Sequence, residues 1–309
     1  MKTTMSKAPT VALVTCRDFP ELDAYDAVLP PRLASMGVEA QAAVWDDPAV
    51  DWDQFSLCVV RSTWDYAPRR EEFLEWAWRV PRLANSAATI EWNTDKHYLR
   101  DLETRGVPVV PTTWLEPDAG LNARGLHTRM PALGDFVLKP AVAAGSIGAG
   151  RYTANDSQLR GRAIAYALRQ LAEGHSMMLQ RYLPSVDLKG ETSLIYLDGR
   201  FAYAVRKDAM LIGPDEGQDR MYQAETLEGG YNPTDEELAV ANGAIAGAMD
   251  ALDNPLKPFL YARADLVQDQ DGRSVLLELE LTEPSLFPEL AVGGIEQVCR
   301  AIAGRVIPT

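Results

Sequence analysis

Asp198-Gly199 and Asp271-Gly272 each stand between two runs of strand-forming residues, in TSLIYLDGRFAYAVRK (192–207) and FLYARADLVQDQDGRSVLLELEL (259–281). Asp-Gly between apolar runs is the strongest short hairpin signal, because a two-residue turn that matches strand twist needs positive φ at both positions. The C-terminal half is therefore expected to be antiparallel. The first third follows a different rule. TVALVTC (10–16), VEAQAAVW (38–45) and LCVVRST (57–63) read as strands, with helical stretches near 22–36 and over RREEFLEWAWRV (69–80). That βαβ order implies parallel strands and right-handed crossovers. An α/β start with an α+β continuation predicts more than one domain type.

Between these regions, NTDKHYLRDLETRG (93–106) reads as a helix with Asn93 or Thr94 as its cap and Gly106 as its stop. EPDAGLNARGLHTRMPALGD (116–135) reads as a linker, NDSQLRGRAIAYALRQLAEG (155–174) as a helix with a polar cap, and MMLQRYL (177–183) as a strand. A long helix is expected at about 234–251 and another at the end, in GGIEQVCRAIAGRV (293–306).

Charge narrows the partners. Acidic residues outnumber basic ones by 44 to 30, a net charge of −14 that repels polyanions. Nucleic acid and anionic membrane surfaces are poor partners for such a chain. Cys16, Cys58 and Cys299 are far apart, with no CxxC, which suits a reducing cytoplasm. Three histidines make a histidine-rich zinc site improbable. The opening MKTTMSKAPT lacks a signal-peptide pattern, and no apolar run reaches the ~18 residues of a membrane span.

The second hairpin holds the chemistry. A two-residue loop at Asp271-Gly272 sets Asp265 opposite Glu278 and Arg263 opposite Glu280, and the side-chain period of two puts all four on one face. Ala264, Leu266, Leu277 and Leu279 then face the core. Facing carboxylates repel one another unless a hard divalent cation such as Mg²⁺ sits between them. The competing reading is a solvated sheet face screened by Arg263.

FVLKPAVAAGSIGAGRY (136–152) ends a strand on Lys139 and continues in small residues. Its GSIGAGRY has the spacing of a GxxxxGK[ST] phosphate loop, but Arg151 and Tyr152 replace the lysine and hydroxyl. AGSIG has Ala144 where a GxSxG nucleophile elbow needs glycine.

A third pattern fits. Lys96, Lys139-Pro140, AAGSIG, LQRYL, GETSL, AVRK, RAD and ELELTEP, in that order, resemble the ATP-grasp superfamily in its D-alanine–D-alanine ligase-like branch. The resemblance runs from Lys96 to near the C-terminus. It implies an N-terminal α/β substrate domain (1–93), a central lid subdomain (94–182) and a C-terminal subdomain with the metal site (183–309). ATP and Mg²⁺ are the implied cofactors, and a homo-oligomer is the implied assembly. Lys96 and Lys139 would contact the α- and β-phosphates, under a loop of Ala144, Gly145, Ser146 and Gly148. Gln180, Arg181, Tyr182 and Leu183 would read adenine through their backbone. Asp187 or Glu191 would hold the ribose, and Arg206 or Lys207 the γ-phosphate. Asp265, Glu278 and Glu280 would hold Mg²⁺, while Arg263 steadies the transferred phosphoryl group and the oxyanion. The family often has Asn at the position of Glu280, which here either tightens metal binding or pairs with Arg263.

Such enzymes activate a carboxylate as an acylphosphate, which fits a chain without a Ser/His or Cys/His triad. The start VALVTCRDFPELDAYDAVLPPRL, RSTWDY and GETSLIYLDGRFAYAVRK further resemble the O-ureido-serine cyclo-ligases, a family that closes a ring on a small amino-acid-like substrate. By fold logic the substrate contacts fall to Asp18, Asp23, Arg61, Ser62, Asp65, Arg263 and Ser285, since parallel sheets bind ligands at the carboxyl ends of their strands. Arg61 is the natural partner for a substrate carboxylate. Trp64 and Tyr66 either join that loop's function or pack it. An intermolecular carboxylate–amine ligase and a non-catalytic ATP-binding module are the alternatives.

Overall fold

The computed structural model describes residues 8–211, 213–214, 226–254 and 258–307. Residues 1–7, on which part of the signal-peptide reading rests, lie outside them.

Three sheets carry the fold. The first holds β1 (Thr10–Thr15), β2 (Glu39–Val44) and β3 (Leu57–Val60), parallel and in the order β2-β1-β3. Alternate residues of β1 enter two cores: Val11 and Leu13 pack with the helix Leu29–Ser35, and Ala12 and Val14 with Phe73 and Trp76 of the helix Arg70–Arg79. A strand covered on both faces reads as a continuous apolar run, which is why it was legible. Two boundaries differ from expectation. The helix begins at Leu29, with proline in its first turn, because the Asp23 carboxylate ties 22–28 into turns by accepting from the Tyr25 and Asp26 N–H groups. The third strand stops at Val60, where Ser62 turns back to accept from the Cys16 N–H at 3.2 Å.

The second sheet holds β4 (Thr112–Leu115), β5 (Asp135–Pro140), β6 (Gly150–Thr153) and β7 (Met177–Arg181), antiparallel in the order β4-β7-β5-β6. The helix Ser157–Ala172, capped by the Asp156 carboxylate, covers its apolar face. The segment 116–135 is not a linker. Asn122 caps a short helix, Ala123–Arg129, whose Leu126 is fully buried in the same core. Its polar residues hid the anchors Leu126 and Met130, with Leu121 packed beside them.

The third sheet holds β8 (Glu191–Leu197), β9 (Arg200–Lys207), β10 (Leu227–Tyr231), β11 (Tyr261–Gln268) and β12 (Ser274–Glu280), antiparallel in the order β10-β9-β8-β11-β12. Asp198 and Gly199, at φ of 50° and 73°, make the expected two-residue turn, with Leu197 paired to Arg200. The helix Asp235–Ala251, opened by a Thr234/Glu237 capping box, covers one face over Leu194, Ala264 and Leu279. On the other face Ile195, Val205 and Tyr261 join the core shared with the closing helix Gly294–Gly304. The next positions along those strands, Ser193, Lys207, Arg263 and Asp265, share that face by the period of two. An apolar half of this face thus leads directly into a charged half. No helix among the described residues is long and apolar enough to cross a membrane.

Candidate active site

The charged half of the third sheet walls a cavity of about 170 Å³, closed on the other side by the second sheet. Arg263 pairs with Glu280 and Asp265 with Glu278 across β11 and β12, as the hairpin arithmetic requires. The loop, however, is one residue longer than expected. Asp269 and Arg273 close it by a 2.8 Å backbone bond, and Gln268 faces Ser274. A β-bulge between these outer pairs and Asp265–Glu278 restores the inner register. The bulge also corrects one side chain. Leu276, not Leu277, takes the core position, and Leu277 turns to the cavity.

Most of the charged groups here hold one another. Asp265 accepts from Arg263 Nη2 at 2.9 Å, Lys207 Nζ at 3.1 Å and Ser193 Oγ. Burial pushes its carboxyl up, but the Arg263 and Lys207 charges outweigh it and hold Asp265 well below the usual carboxylate range. Arg263 also donates to Glu280 at 2.5 Å and to the Ser285 carbonyl at 3.0 Å. Lys207 reaches Glu191 at 3.3 Å.

Lys96 is reached in an unexpected way. The stretch 93–106 is two helices, Ala87–Asn93 and Tyr98–Thr104, with Lys96 in the break. Asn93 ends the first helix instead of capping a second; its amide donates to the Leu279 carbonyl of β12 and accepts from the Leu281 N–H just after it, both at 2.7 Å. The Lys96 N–H donates to the Ala141 carbonyl at 2.9 Å, and its ammonium to Ala143 O at 2.8 Å and Glu278 at 3.1 Å. The break thus ties the small-residue loop to the acidic hairpin.

Lys139 ends β5 half-buried in the cavity wall and makes no ion pair among the described residues. Burial pulls its ammonium down against the upward pull of Glu278, and the Lys96 charge adds to the depression. Negative charge is in excess nearby. Burial, opposed by Arg263 but aided by Glu278 and Asp265, pushes Glu280 up to about 8. Burial likewise pushes Glu283 up to about 7 against a hydrogen bond from Tyr66 and the Lys96 charge.

A hard divalent cation fits such a wall, since Glu278 and Glu280 offer oxygen donors whose mutual repulsion it relieves. The described residues contain no ready-made cluster of three metal-ligating side chains, because Asp265 is already engaged by Arg263 and Lys207. Val110, Val137, Leu183, Val267 and Leu277 make the apolar part of the cavity lining, beside Gln180–Tyr182 of the β7 segment. That surface suits an aromatic base next to a charged end.

Comparison with known proteins decides the family. Residues 11–85 match the family described as D-cycloserine synthetase DcsG, N-terminal domain. The cycloserine biosynthesis protein DcsG of Streptomyces lavendulae is 36% identical over 293 residues, covering 92% of this chain and 95% of its own length. The crystal structure of D-cycloserine synthetase DcsG superposes with a TM-score of 0.85 at 33% identity, over 96% of this chain and 100% of that one. The chain belongs to the DcsG family. It has the ATP-grasp fold, shared with the ligase PsnB, a structure complexed with Mg and ADP, at a TM-score of 0.62, 17% identity and coverage of 98% and 100%. It is an ATP-dependent ligase.

Within this DcsG relative the expected residues separate into two groups. Lys96, Lys139, Ala144, Gly145, Ser146, Gln180, Arg181, Tyr182, Leu183, Glu191, Lys207, Arg263, Asp265, Glu278, Glu280 and Ser285 line this cavity together. Gly145 and Ser146 adopt left-handed φ values of 59° and 61° in the loop. Gly148, at φ +75°, instead packs on the second-sheet core, where a Cβ would lie 2.6 Å from the Tyr166 hydroxyl. Asp187 stands outside the lining, taken by Tyr182 Oη at 2.5 Å and Arg151 at 3.0 Å. Arg206 does too, with its guanidinium 4.4 Å from the Tyr231 ring centroid.

The substrate loops of the first sheet are the main correction. Asp18 is exposed. Asp23 caps its own turn and accepts from Ser62 Oγ at 3.3 Å. Arg61 is 2% exposed, bound to Asp26 at 2.8 Å and the Pro284 carbonyl at 2.7 Å. Asp65 accepts from Trp45 at 2.9 Å and Arg69 at 2.5 Å. None of these five lines the cavity; the sheet edge they occupy is sealed by the segment after β12. Trp64 and Tyr66, for which function and packing both stood open, do line it, as does Glu283. The signal for Glu283 was its place in ELELTEP, three residues past Glu280.

Proposed function

We propose that this ligase closes the isoxazolidinone ring of D-cycloserine from O-ureido-D-serine, at the cost of one ATP. The reading rests on the extent of the likeness to the Streptomyces lavendulae protein, which runs through the N-terminal sheet as well as the cavity. A substrate carboxylate oxygen attacks the γ-phosphorus, the bridging P–O bond breaks, and ADP leaves. The ureido nitrogen then attacks the acyl carbon and displaces phosphate. The carbamoyl group is lost, with uptake of water, as CO₂ and ammonia.

The chain's part is charge placement rather than covalent catalysis. Lys139, a half-buried ammonium without an ion pair among the described residues, is available to the α- and β-phosphates with Lys96. Glu191 rather than Asp187 serves the ribose in this reading, and Lys207 rather than Arg206 the γ-phosphate; in support, each lines the cavity and its rival does not. Arg263, fixed by Asp265 and Glu280, faces the charge that develops on the acyl oxygen. Glu278 and Glu280, with Asp265, would hold Mg²⁺, which would supply charge neutralisation at the phosphate oxygens. Residues 1–93, 94–182 and 183–309 serve as substrate, lid and metal-bearing domains in this reading.

Incubation with ATP, Mg²⁺ and O-ureido-D-serine is expected to give D-cycloserine, ADP and phosphate in equal amounts by mass spectrometry and phosphate assay. Turnover that requires an added amine would instead establish an intermolecular ligase.

A further inference from the structure

Among the described residues Glu283 is an acid of the cavity wall without an ion pair, although the Lys96 and Arg263 charges lie near it. Asp265 is bound by Arg263 and Lys207, Glu278 by Lys96, Glu280 by Arg263 and Glu191 by Lys207. Among the described residues Glu283 makes no ion pair, and the Tyr66 phenol is its hydrogen-bonding neighbour. A neutral donor orients a carboxylate while leaving its charge in place.

Its backbone is fixed from two sides. Trp64 Nε1 donates to the Glu283 carbonyl at 3.3 Å, and Arg61 to the Pro284 carbonyl at 2.7 Å. Arg263 holds the Ser285 carbonyl at 3.0 Å, so the guanidinium that faces the acyl oxygen is anchored to the same short segment. Lys96, Arg263, Glu278 and Glu280 are the other charged groups around the carboxylate. This is where buried Arg61 finds its use: it pins the segment after β12 that presents Glu283.

Resting on the ring closure described above, we propose that Glu283 is the general base that takes the proton of the attacking ureido nitrogen. As the nitrogen–carbon bond forms, that proton passes to the Glu283 carboxylate. The carbon–oxygen bond to the phosphate breaks, and its electron pair leaves with the phosphate. Phosphorylation of the carboxylate needs no such base, because the attacking oxygen carries no proton. The two half-reactions therefore separate at this residue.

The test uses the full chain with ATP, Mg²⁺ and O-ureido-D-serine, with ADP, D-cycloserine and the hydroxamate trapped by hydroxylamine all measured. Glu283→Gln is expected to keep hydroxamate formation within a few-fold while ring closure falls roughly 10²- to 10⁴-fold. Glu283→Asp restores part of the ring closure. Wild-type ring closure in Glu283→Gln overturns the assignment. So does a variant that loses hydroxamate and ring together, or one that raises KM with kcat unchanged, since these mark a structural or ammonium-binding residue. A wild-type protein that yields hydroxamate but never a ring defeats the reaction reading itself, and this role falls with it.

Discussion

The carboxyl edge of the parallel sheet and the hairpin of β11 and β12 each place an arginine among carboxylates, and they put it to different uses. Arg61 and Asp26 are 2% and 5% exposed, joined at 2.8 Å beneath the chain that follows β12. Arg263 and Asp265 are almost as buried, but their neighbours Glu280 and Glu278 remain about a quarter exposed on a cavity wall. The first cluster is closed and supports; the second is open and holds excess negative charge. Residue types alone do not distinguish them. What distinguishes them is whether the next segment of chain covers the charges or leaves room beside them.

Removal of one partner from the closed pair sharpens this contrast most. Arg61→Ala leaves Asp26 buried and unpaired, and we expect a loss of about 3–5 kcal/mol in denaturant unfolding. Arg263→Ala is expected to act on the barrier, lowering kcat by 10²- to 10³-fold, about 2.7–4 kcal/mol, in steady-state turnover. A stability loss for Arg263→Ala larger than that for Arg61→Ala would break the distinction.

The arginine-bound aspartates of the two clusters, Asp26 and Asp265, respond to pH with opposite sign. Burial, opposed by Arg61, raises Asp26 from 3.8 to about 6, so the folded state holds its proton more tightly than the unfolded chain. Stability falls as pH rises between these values, by roughly 3 kcal/mol in all, and Asp26→Asn removes that slope. Asp265 is held below its ordinary 3.8, so its contribution is present above that pH and is lost only in acid. Urea midpoints across pH 2 to 8, for each Asn variant, read both slopes.

Glu278→Gln should raise the Mg²⁺ concentration for half-maximal turnover by roughly 10- to 100-fold, taking the scale of lost metal-site support. Asp18→Ala marks the other extreme. An exposed side chain outside the cavity is expected to shift stability by less than about 0.5 kcal/mol and leave turnover unchanged in the same assays.

Much of this was legible before the structure. The Asp198-Gly199 turn and the Arg263–Glu280 and Asp265–Glu278 pairs formed as the residue pattern requires. The second hairpin reached its pairs by a route the sequence hides, because a loop one residue longer and a bulge near Leu277 offset each other, and a bulge among Val275, Leu276 and Leu277 carries no residue-type signature. The helix break at Lys96 was hidden because its cause is distant: Asn93 is engaged by the backbone at the end of β12, and the Lys96 N–H by Ala141. Arg61 misled for the converse reason. Its place after a parallel strand is the usual one for a ligand contact, and only the returning chain at Pro284 fills that place.

The central claim is that β11 and β12 hold the metal–nucleotide end of the reaction. Crystals grown with ADP and Mn²⁺ in place of Mg²⁺, examined by anomalous scattering, test it directly. The account predicts a metal peak beside Glu278 and Glu280, with the base against Gln180–Leu183. A peak at the carboxyl edge of the parallel sheet, near Asp18 and Asp23, would contradict it.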